Sequence, residues 1–297
     1  MLDFHEITPA DKLPAERILL NSENQSCEYA FGNVFIWQKI YRTQISLADD
    51  MLVIAFRTPD EFSYCCPQGS GDFTAKIEEL SAHAKQHNGR RLFLYACTEE
   101  EAQKLERLFP NRFTFSQNED YFEYIYSAED LAVLAGRKYH DKRNHIAAFE
   151  RNYPDWTFEE ITRRNIGQCA EMNERWLRLN EYKDEVQLSA EHHVLNLAMA
   201  HYEELGFYGG LIRADGRVVA FSFGERLNHT TFCTHFEKAY ADVKGAYQMI
   251  NREMARRLLP DYQLINREED AGAPGLRRAK QSYHPTVLLR KINAIEK

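Results

Sequence analysis

The sequence predicts a mixed α/β protein of two domains, and three observations indicate this organisation. Apolar segments of strand length alternate with longer amphipathic segments along most of the 297 residues, which is typical of layered α/β structure. Asp215-Gly216 lies between two apolar segments and is typical of the two-residue turn of an antiparallel hairpin. The length suits two domains of about 150 residues each.

The first half opens with a helix and then alternates between strands and helices. A helix is predicted over Pro14–Leu20, followed by an aromatic segment, Tyr29–Trp37. Short apolar segments predict strands over Thr43–Leu47, Met51–Phe56, Ser63–Cys66, Arg91–Ala96 and Tyr121–Tyr126. Amphipathic periodicity predicts helices over Phe73–His87 and Glu99–Leu108.

The second half repeats this kind of order. Helices are predicted over Lys138–Asn152, Ile166–Leu179, Glu191–Glu204 and Gly245–Leu259. Strands are predicted over Trp156–Ile161, Tyr208–Arg213, Arg217–Arg226, Thr230–Glu237 and Tyr262–Asn266. Because both halves can be described this way, the sequence predicts two related domains in tandem, 1–134 and 135–297, with the active cleft in the second.

Composition and charge exclude several classes of protein. A net charge of −8 argues against a general binder of nucleic acid or of anionic membranes. The six cysteines are scattered and form no CxxC pair, so reduced, buried thiols are expected, without a disulfide framework or a zinc site. The N-terminus lacks a signal-peptide pattern, and no apolar segment approaches the ~20 residues that span a bilayer. We therefore expect a cytoplasmic protein with no integral membrane segment.

The segment from Asn266 to Pro285 combines unusual features. Three acids, Glu268, Glu269 and Asp270, precede a Gly/Pro-rich turn, a basic helix start and the pair Tyr283-His284. This combination indicates a site that holds opposite charges around a polar substrate, although a charged loop before an amphipathic helix is the alternative. Because side chains alternate along a strand, Asp270 and Glu268 are expected on one face, with Glu269 in solvent.

Two basic groups could bind phosphate. Lys138, Lys142 and His145 would share one face of a helix, with Arg143 beside them; a solvated helix face is the alternative. The tail after residue 270 has six basic residues against one acid, and this excess predicts a local anion-facing surface.

Other residues carry weaker signals. Tyr208 and Gly210 begin a predicted strand, where glycine permits a ligand to approach or marks a bulge. Four positions, His192, His193, His229 and His235, lack metal-ligand spacing and are interpreted as structural or solvent-facing.

The order of elements in the second half resembles the Gcn5-related N-acetyltransferase superfamily. Four motifs further resemble a bacterial family related to the cytosolic C-terminal domain of phosphatidylglycerol lysyltransferases, and they lie at Cys27–Trp37, Gly136–Glu150, Lys244–Ala255 and Asn266–Pro285. The resemblance implies two acyl-CoA N-acyltransferase-like domains in tandem. It also implies transfer of an acyl or aminoacyl group to an amine or hydroxyl acceptor.

Acyl transfer needs a docked donor, a polarised carbonyl and a route for the acceptor's proton. Within this resemblance, Glu268, Asp270, Tyr283 and His284 are the predicted catalytic residues. The predicted phosphate-binding or substrate-binding residues are Lys138, Lys142, Arg143, Arg277, Tyr208 and Gly210. The loop that would meet the coenzyme A pyrophosphate holds Lys244, Gly245 and Ala246.

The resemblance leaves the co-substrate open. Acyl-CoA and aminoacyl-tRNA are both possible donors, without a tightly bound cofactor or a metal, and a lipid head group or a small molecule is the expected acceptor. The alternatives are a coenzyme A-dependent N-acyltransferase of a small amine and a non-catalytic ligand-binding module. The sequence does not fix the oligomeric state.

Overall fold

The computed structural model describes residues 2–57, 62–88, 90–179 and 185–297. The strands, in chain order, are β1 (His5–Glu6), β2 (Gln44–Ala48), β3 (Met51–Arg57), β4 (Phe62–Cys65), β5 (Gln68–Gly69), β6 (Phe93–Cys97), β7 (Phe113–Gln117), β8 (Glu123–Ser127), β9 (Thr157–Glu160), β10 (Tyr208–Ala214), β11 (Arg217–Arg226), β12 (Thr231–Ala239), β13 (Leu264–Asn266), β14 (Val287–Leu289) and β15 (Ile292–Glu296). The α-helices are α1 (Lys12–Leu19), α2 (Phe31–Tyr41), α3 (Phe73–Asn88), α4 (Glu99–Leu108), α5 (Ala128–Val133), α6 (His140–Asn152), α7 (Ile166–Arg178), α8 (Glu185–Ala200), α9 (Ala246–Leu258) and α10 (Pro274–Gln281).

The strands of the described residues form two mixed sheets, so the predicted α/β class is confirmed. The first sheet has the order β1-β2-β3-β4-β6-β15-β7, with β5 paired to β3. The second has the order β14-β8-β13-β12-β11-β10-β9. Both sheets combine antiparallel neighbours with one parallel pair, β4 with β6 and β12 with β13.

The predicted hairpin is confirmed in the second sheet. β10 and β11 pair antiparallel and meet at Ala214 and Arg217. Asp215 and Gly216 between them both have positive φ, 49° and 70°, which is the backbone of a type I′ turn. Asp and Gly tolerate this conformation better than other residues do, and this is why the dipeptide predicts the turn.

Strand pairing crosses the predicted boundary between residues 134 and 135. β8, from the first half of the chain, pairs with β13 and β14 in the second sheet. β15, from the C-terminal end, inserts between β6 and β7 in the first sheet. Each sheet therefore includes a strand from the other half. The division into domains 1–134 and 135–297 stays a prediction, and the exchange of strands was not foreseen by it.

The strongest backbone constraint in the second sheet lies at Gly224. The register of β11 against β12 shifts between Phe223 and Gly224, leaving His235 of β12 as the extra residue of a β-bulge. A Cβ atom at Gly224 would lie 1.8 Å from the backbone oxygen of Cys233. Only glycine fits there, because the obstructing atom belongs to the neighbouring strand.

Gly224→Ala is therefore expected to destabilise the protein by about 2 kcal/mol, the usual cost of overpacking. Gly275→Ala is the matched control, because its Cβ would meet no atom within 4 Å and alanine is the better helix former within α10. Urea unfolding of both variants checks the prediction. Equal stabilities would show that the bulge can relax away from the added methyl group.

Candidate functional site

Charged side chains gather where the two sheets meet. Lys291 lies between β14 of the second sheet and β15 of the first, at the point where the chain crosses from one to the other. Around it lie Cys27 and Glu28 from the turn before α2, Glu123 at the start of β8, and Glu269 after β13. We call these five residues the junction cluster.

The ammonium group of Lys291 lies among three carboxylates. Its Nζ is 2.7 Å from Oε1 of Glu123, 2.9 Å from Oε1 of Glu28 and 3.6 Å from Oε2 of Glu269. Burial lowers the pKa of Lys291, but the surrounding acids outweigh burial and raise this pKa well above its ordinary value. Lys291 is therefore charged, and three carboxylates surround one cation.

Glu123 is fixed deep in the cluster. Its carboxylate accepts hydrogen bonds from the hydroxyl of Ser26 (2.7 Å), from the backbone N–H of Cys27 (2.9 Å) and from the side-chain amide of Asn266. Burial raises the pKa of Glu123, but the Lys291 charge and these hydrogen bonds together lower it below its ordinary value. The Glu123 carboxylate is thus ionised and is fixed in position by Lys291 and these three hydrogen bonds.

The other two acids reach the surface. The side chains of Glu28 and Glu269 are 17% and 29% exposed, whereas that of Lys291 is only 4% exposed. Burial raises the pKa of Glu28, against the opposing effect of Lys291. Burial, and then the charges of Glu28 and Glu269, raise the pKa of the nearby Tyr41. The junction cluster and Tyr41 therefore place two carboxylates and a phenol at the surface.

A second group of ionisable residues adjoins the junction cluster. The Nε2 and Nδ1 atoms of His235 lie 2.9 Å from Oε1 of Glu225 and 2.7 Å from Oε1 of Glu268. Cys233 Sγ lies 3.9 Å from that same Glu268 oxygen. Burial lowers the pKa of His235, but Cys233 and the two hydrogen-bonded acids raise it well above its ordinary value. We call Glu225, Cys233, His235 and Glu268 the histidine cluster.

Of the three acids in the tail, Glu268 and Glu269 reach these clusters and Asp270 does not. Asp270 is fully buried and accepts hydrogen bonds from Tyr124 (2.6 Å) and from Nε and Nη2 of Arg277 (2.8 Å each). These bonds hold its pKa at about 2, although burial opposes them. The predicted catalytic acid and the predicted phosphate ligand Arg277 are thus paired with each other. Glu269 is not simply solvated, because it faces Lys291.

Four predicted site residues meet elsewhere, at the start of α6. Lys142 donates a hydrogen bond to Ser282 (2.6 Å) and lies 3.9 Å from the centre of the Tyr283 ring. His284 Nε2 lies 3.3 Å from the backbone oxygen of Lys138. Burial raises the pKa of Tyr283. These contacts join α6 to the turn after α10, and their role in catalysis or phosphate binding stays a prediction.

The remaining phosphate and cofactor predictions fall on residues with contacts inside the chain. Arg143 donates hydrogen bonds to the backbone oxygens of Leu134 and Gly136, just after α5. Lys138 pairs with Asp130 at 2.9 Å.

At the predicted pyrophosphate loop, Lys244 is exposed and Gly245 has φ 89°. A Cβ atom at Gly245 would lie 2.4 Å from the backbone oxygen of His145, so α6 packs directly on the start of α9. The N–H of Ala246 already donates to the oxygen of Val243 (3.1 Å). As coenzyme A ligands these residues stay predictions.

The space predicted for a ligand at Gly210 is filled by the protein. A Cβ atom there would lie 2.0 Å from the Phe158 ring of the neighbouring strand β9. The Tyr208 hydroxyl donates to Glu160 on the same strand (3.1 Å). Gly210 therefore lets the Phe158 ring pack closely against β10. The Tyr208 hydroxyl is hydrogen-bonded to the edge strand β9.

Most of the basic residues in the tail after residue 270 make contacts within the chain. Lys280 is buried and donates to the backbone oxygens of residues 267–269. Lys291 is buried in the junction cluster, Arg277 pairs with Asp270, and Arg290 lies 3.3 Å from Glu99. These contacts engage four of the six basic residues, and the anion-facing surface stays a prediction.

A cavity of about 1040 Å³ lies beside the junction cluster. Its walls include the end of α1, residues 21–25, the first turn of α4 and β14. Gln25 and Arg290 line it, and their chain neighbours Ser26 and Lys291 bond to Glu123. The predicted catalytic residues Glu268, Asp270, Tyr283 and His284 lie outside its lining.

Comparison with known proteins identifies relatives of the whole chain. The family described as Phosphatidylglycerol lysyltransferase, C-terminal, matches residues 21–295. A conserved protein of unknown function from Bacteroides thetaiotaomicron is 37% identical, with both chains covered completely and a TM-score of 0.96. No curated protein matches the sequence.

Two further solved structures share the fold at low identity. One is the C-terminal domain of an Agrobacterium fabrum protein named as a lysylphosphatidylglycerol synthetase, at 13% identity and a TM-score of 0.71, covering 98% of this chain and 93% of the other. The second is L-PGS from Bacillus licheniformis, at 15% identity and a TM-score of 0.66, covering 97% and 92%. Among the helices of the described residues, none has the length and apolar character needed to cross a bilayer.

Proposed function

This chain belongs to the phosphatidylglycerol lysyltransferase C-terminal family, whose fold is acyltransferase-like, and on that premise we propose that it transfers an aminoacyl group to a hydroxyl acceptor. The junction cluster is the proposed site. The observation that carries the proposal is the excess of carboxylates around Lys291, two of which, Glu28 and Glu269, are partly exposed.

The charge of the cluster selects among the possible donors. Three carboxylates against one ammonium leave a negative site, which attracts a cationic group. The reacting end of an aminoacyl donor carries an ammonium that balances this charge, whereas the acyl end of acyl-coenzyme A carries no cation. The contacts at Gly245 and Ala246 also leave the predicted pyrophosphate loop engaged with α6 and with itself. Both arguments favour an aminoacyl donor.

Four residues of the cluster have roles in the proposed transfer. Glu269, the more exposed acid, binds the ammonium of the aminoacyl group. Glu28, whose pKa is raised by burial, accepts the proton of the acceptor hydroxyl. Lys291 and Glu123 position Glu28 and do not contact substrate, because both are buried.

The chemical step is an ester exchange. The acceptor oxygen forms a bond to the carbonyl carbon of the aminoacyl ester while its proton passes to Glu28. The bond between that carbon and the donor's hydroxyl oxygen then breaks, and this oxygen takes up the proton from Glu28. No covalent intermediate with the enzyme is required.

Transfer of labelled lysine from charged tRNA to phosphatidylglycerol vesicles tests the proposal directly. We expect Glu28→Gln to lower the rate about 100-fold, the usual contribution of a general base, and Glu269→Gln to raise KM for the charged tRNA. Glu78→Gln is the matched control, because this exposed acid pairs with Arg112 and neither residue belongs to the junction cluster.

Two outcomes would overturn the proposal. One is that the Glu28→Gln protein keeps the parent's rate. The other is that the purified chain transfers acetyl from acetyl-CoA to small amines and leaves charged tRNA intact. A parallel reaction with water-soluble glycerol phosphate as the acceptor shows whether the hydroxyl must belong to a lipid.

A further inference from the structure

We propose that Cys233, His235 and Glu268 bind a zinc-type divalent metal ion, a property that goes beyond the proposed aminoacyl transfer. The Sγ, ring nitrogen and carboxylate oxygen of these residues all lie within 4.8 Å of one another. Sequence spacing predicts a structural or solvent-facing His235, but the fold brings Glu268, more than thirty residues later, to its side.

The geometry of β12 and β13 creates this group. Cys233 and His235 are two residues apart on β12, and both side chains reach the same oxygen of Glu268. His235 is also the extra residue of the bulge opposite Gly224, and bulges commonly redirect a side chain beside a functional site. Glu268 follows β13, the strand paired parallel to β12 at Cys233.

The distances suit a tetrahedral ion. With Zn–S near 2.3 Å and Zn–N near 2.0 Å, ligand atoms lie roughly 3.5 Å apart. Cys233 Sγ and His235 Nδ1 lie 3.9 Å and 2.7 Å from the same oxygen of Glu268. Small side-chain movements therefore bring all three atoms to ligand distance.

Glu225 supplies the outer partner that metal-bound histidines usually have. It lies 2.9 Å from His235 Nε2, so it fixes the ring with Nδ1 directed at Cys233 and Glu268. Glu225 is itself fixed, because the backbone N–H groups of Gly32 and Asn33 at the start of α2 each donate to it at 3.0 Å. A Cβ atom at Gly32 would lie 2.7 Å from its carboxylate, so the helix approaches as closely as glycine permits.

The backbone of Glu268 is an independent sign of a constrained site. Its φ is 58°, a left-handed conformation that costs free energy for a residue with a side chain. The Asn266 side chain stabilises this conformation by accepting a hydrogen bond from the Glu268 N–H (2.7 Å). The strained backbone delivers the carboxylate to His235.

The chemistry of the ligands selects the ion. A thiolate, an imidazole and a carboxylate favour zinc over magnesium or calcium, which prefer oxygen ligands. The two anionic ligands balance the charge of a divalent ion. Three protein ligands also leave the fourth tetrahedral position for water or substrate, and the 22% exposure of Glu268 gives access to it.

Cobalt substitution tests the proposal without any activity assay. The purified full chain is stripped with chelator and titrated with Co²⁺ alone. We expect one equivalent to produce a thiolate-to-cobalt charge-transfer band and the intense visible bands of a tetrahedral site, with Zn²⁺ displacing the cobalt. Cys233→Ser should remove the charge-transfer band, and Glu225→Gln, which leaves all three ligands in place, should weaken affinity about 10–100-fold.

Matched cysteine variants locate the signal. Cys66 and Cys27 belong to two other groups of metal-ligating residues, Cys66 with Cys97 and Glu101, and Cys27 with Glu123 and Glu269. Cys66→Ser and Cys27→Ser should keep the band. Absence of a band in the parent protein, or its persistence in folded Cys233→Ser protein, would overturn the proposal and show that His235 is only an ion-pair partner of Glu225 and Glu268. Neither outcome bears on the aminoacyl transfer proposed for the junction cluster.

Discussion

Lys291→Met is expected to lower the free energy of unfolding by about 3–5 kcal/mol, the cost of removing one partner from a buried ion pair. The variant leaves Glu123 fully buried with no cation beside it. Glu28 and Glu269 would repel it at the same time. Urea unfolding followed by circular dichroism measures the loss.

A double-mutant cycle separates the charge effect from lost packing. Glu123→Gln combined with Lys291→Met removes both charges, so the double variant should be less destabilised than the sum of the single variants. Lys138→Met is the matched control, because Lys138 pairs with Asp130 on the surface and should cost less than 1 kcal/mol. A loss for Lys291→Met as small as that of the control would contradict a buried, charged lysine.

The sequence predicts local structure well because its signals are local. The Asp215-Gly216 turn and the amphipathic periods of α3, α4, α6 and α9 depend on residues close in the chain, and the structure has these elements. The aromatic segment at 29–37 is mostly the helix α2, whose buried residues include Phe31, Val34, Phe35 and Ile36. Apolar residues lie on most sides of this helix, so it has little amphipathic period to recognise.

Strand pairing between distant segments could not be predicted in this way. β7, β14 and β15 are short, and β15 completes the first sheet from the opposite end of the chain. Nothing within a window of ten or fifteen residues says which sheet such a strand joins. The boundary at 134/135 was placed from the order of elements, which carries no information about the exchange of β8 and β15.

The junction cluster escaped prediction for the same reason. Glu28, Glu123 and Lys291 come from three distant segments, and only Glu269 belongs to the acidic group at residues 268–270. A signal was available, however, because Glu123 and Lys291 each interrupt a run of apolar residues, YFEYIY and VLLRKINAI. Charged residues in such positions are seldom buried without a partner. Because Glu123 and Lys291 have opposite charges, each is the expected ion-pair partner of the other.

The three acids at residues 268–270 do not follow the alternation of side chains along a strand, because they lie beyond the end of β13. Alternation predicted Glu268 and Asp270 on one face, but β13 ends at Asn266. Beyond it the chain takes left-handed conformations at Glu268 and Ala271. These turns direct Glu268 to His235 and Asp270 to Arg277, so two neighbouring acids of the same motif serve different networks.

Asp270→Asn is accordingly expected to destabilise the fold by about 3 kcal/mol, because it removes the charge from a buried carboxylate held by Arg277 and Tyr124. The pKa of about 2 in the folded protein lies below the value of about 3.9 in an unfolded chain. The ionised form thus contributes about 2 kcal/mol above pH 4, and this contribution is lost as the pH falls towards 2. Urea unfolding at several pH values should therefore show that the parent loses this contribution at low pH and that Asp270→Asn lacks it at every pH.

Asp120→Asn is the control, because it removes the exposed partner of the same arginine and should cost less than 1 kcal/mol. If Asp270 instead acted on substrate, its asparagine variant would keep the parent's stability and acid sensitivity while losing transfer.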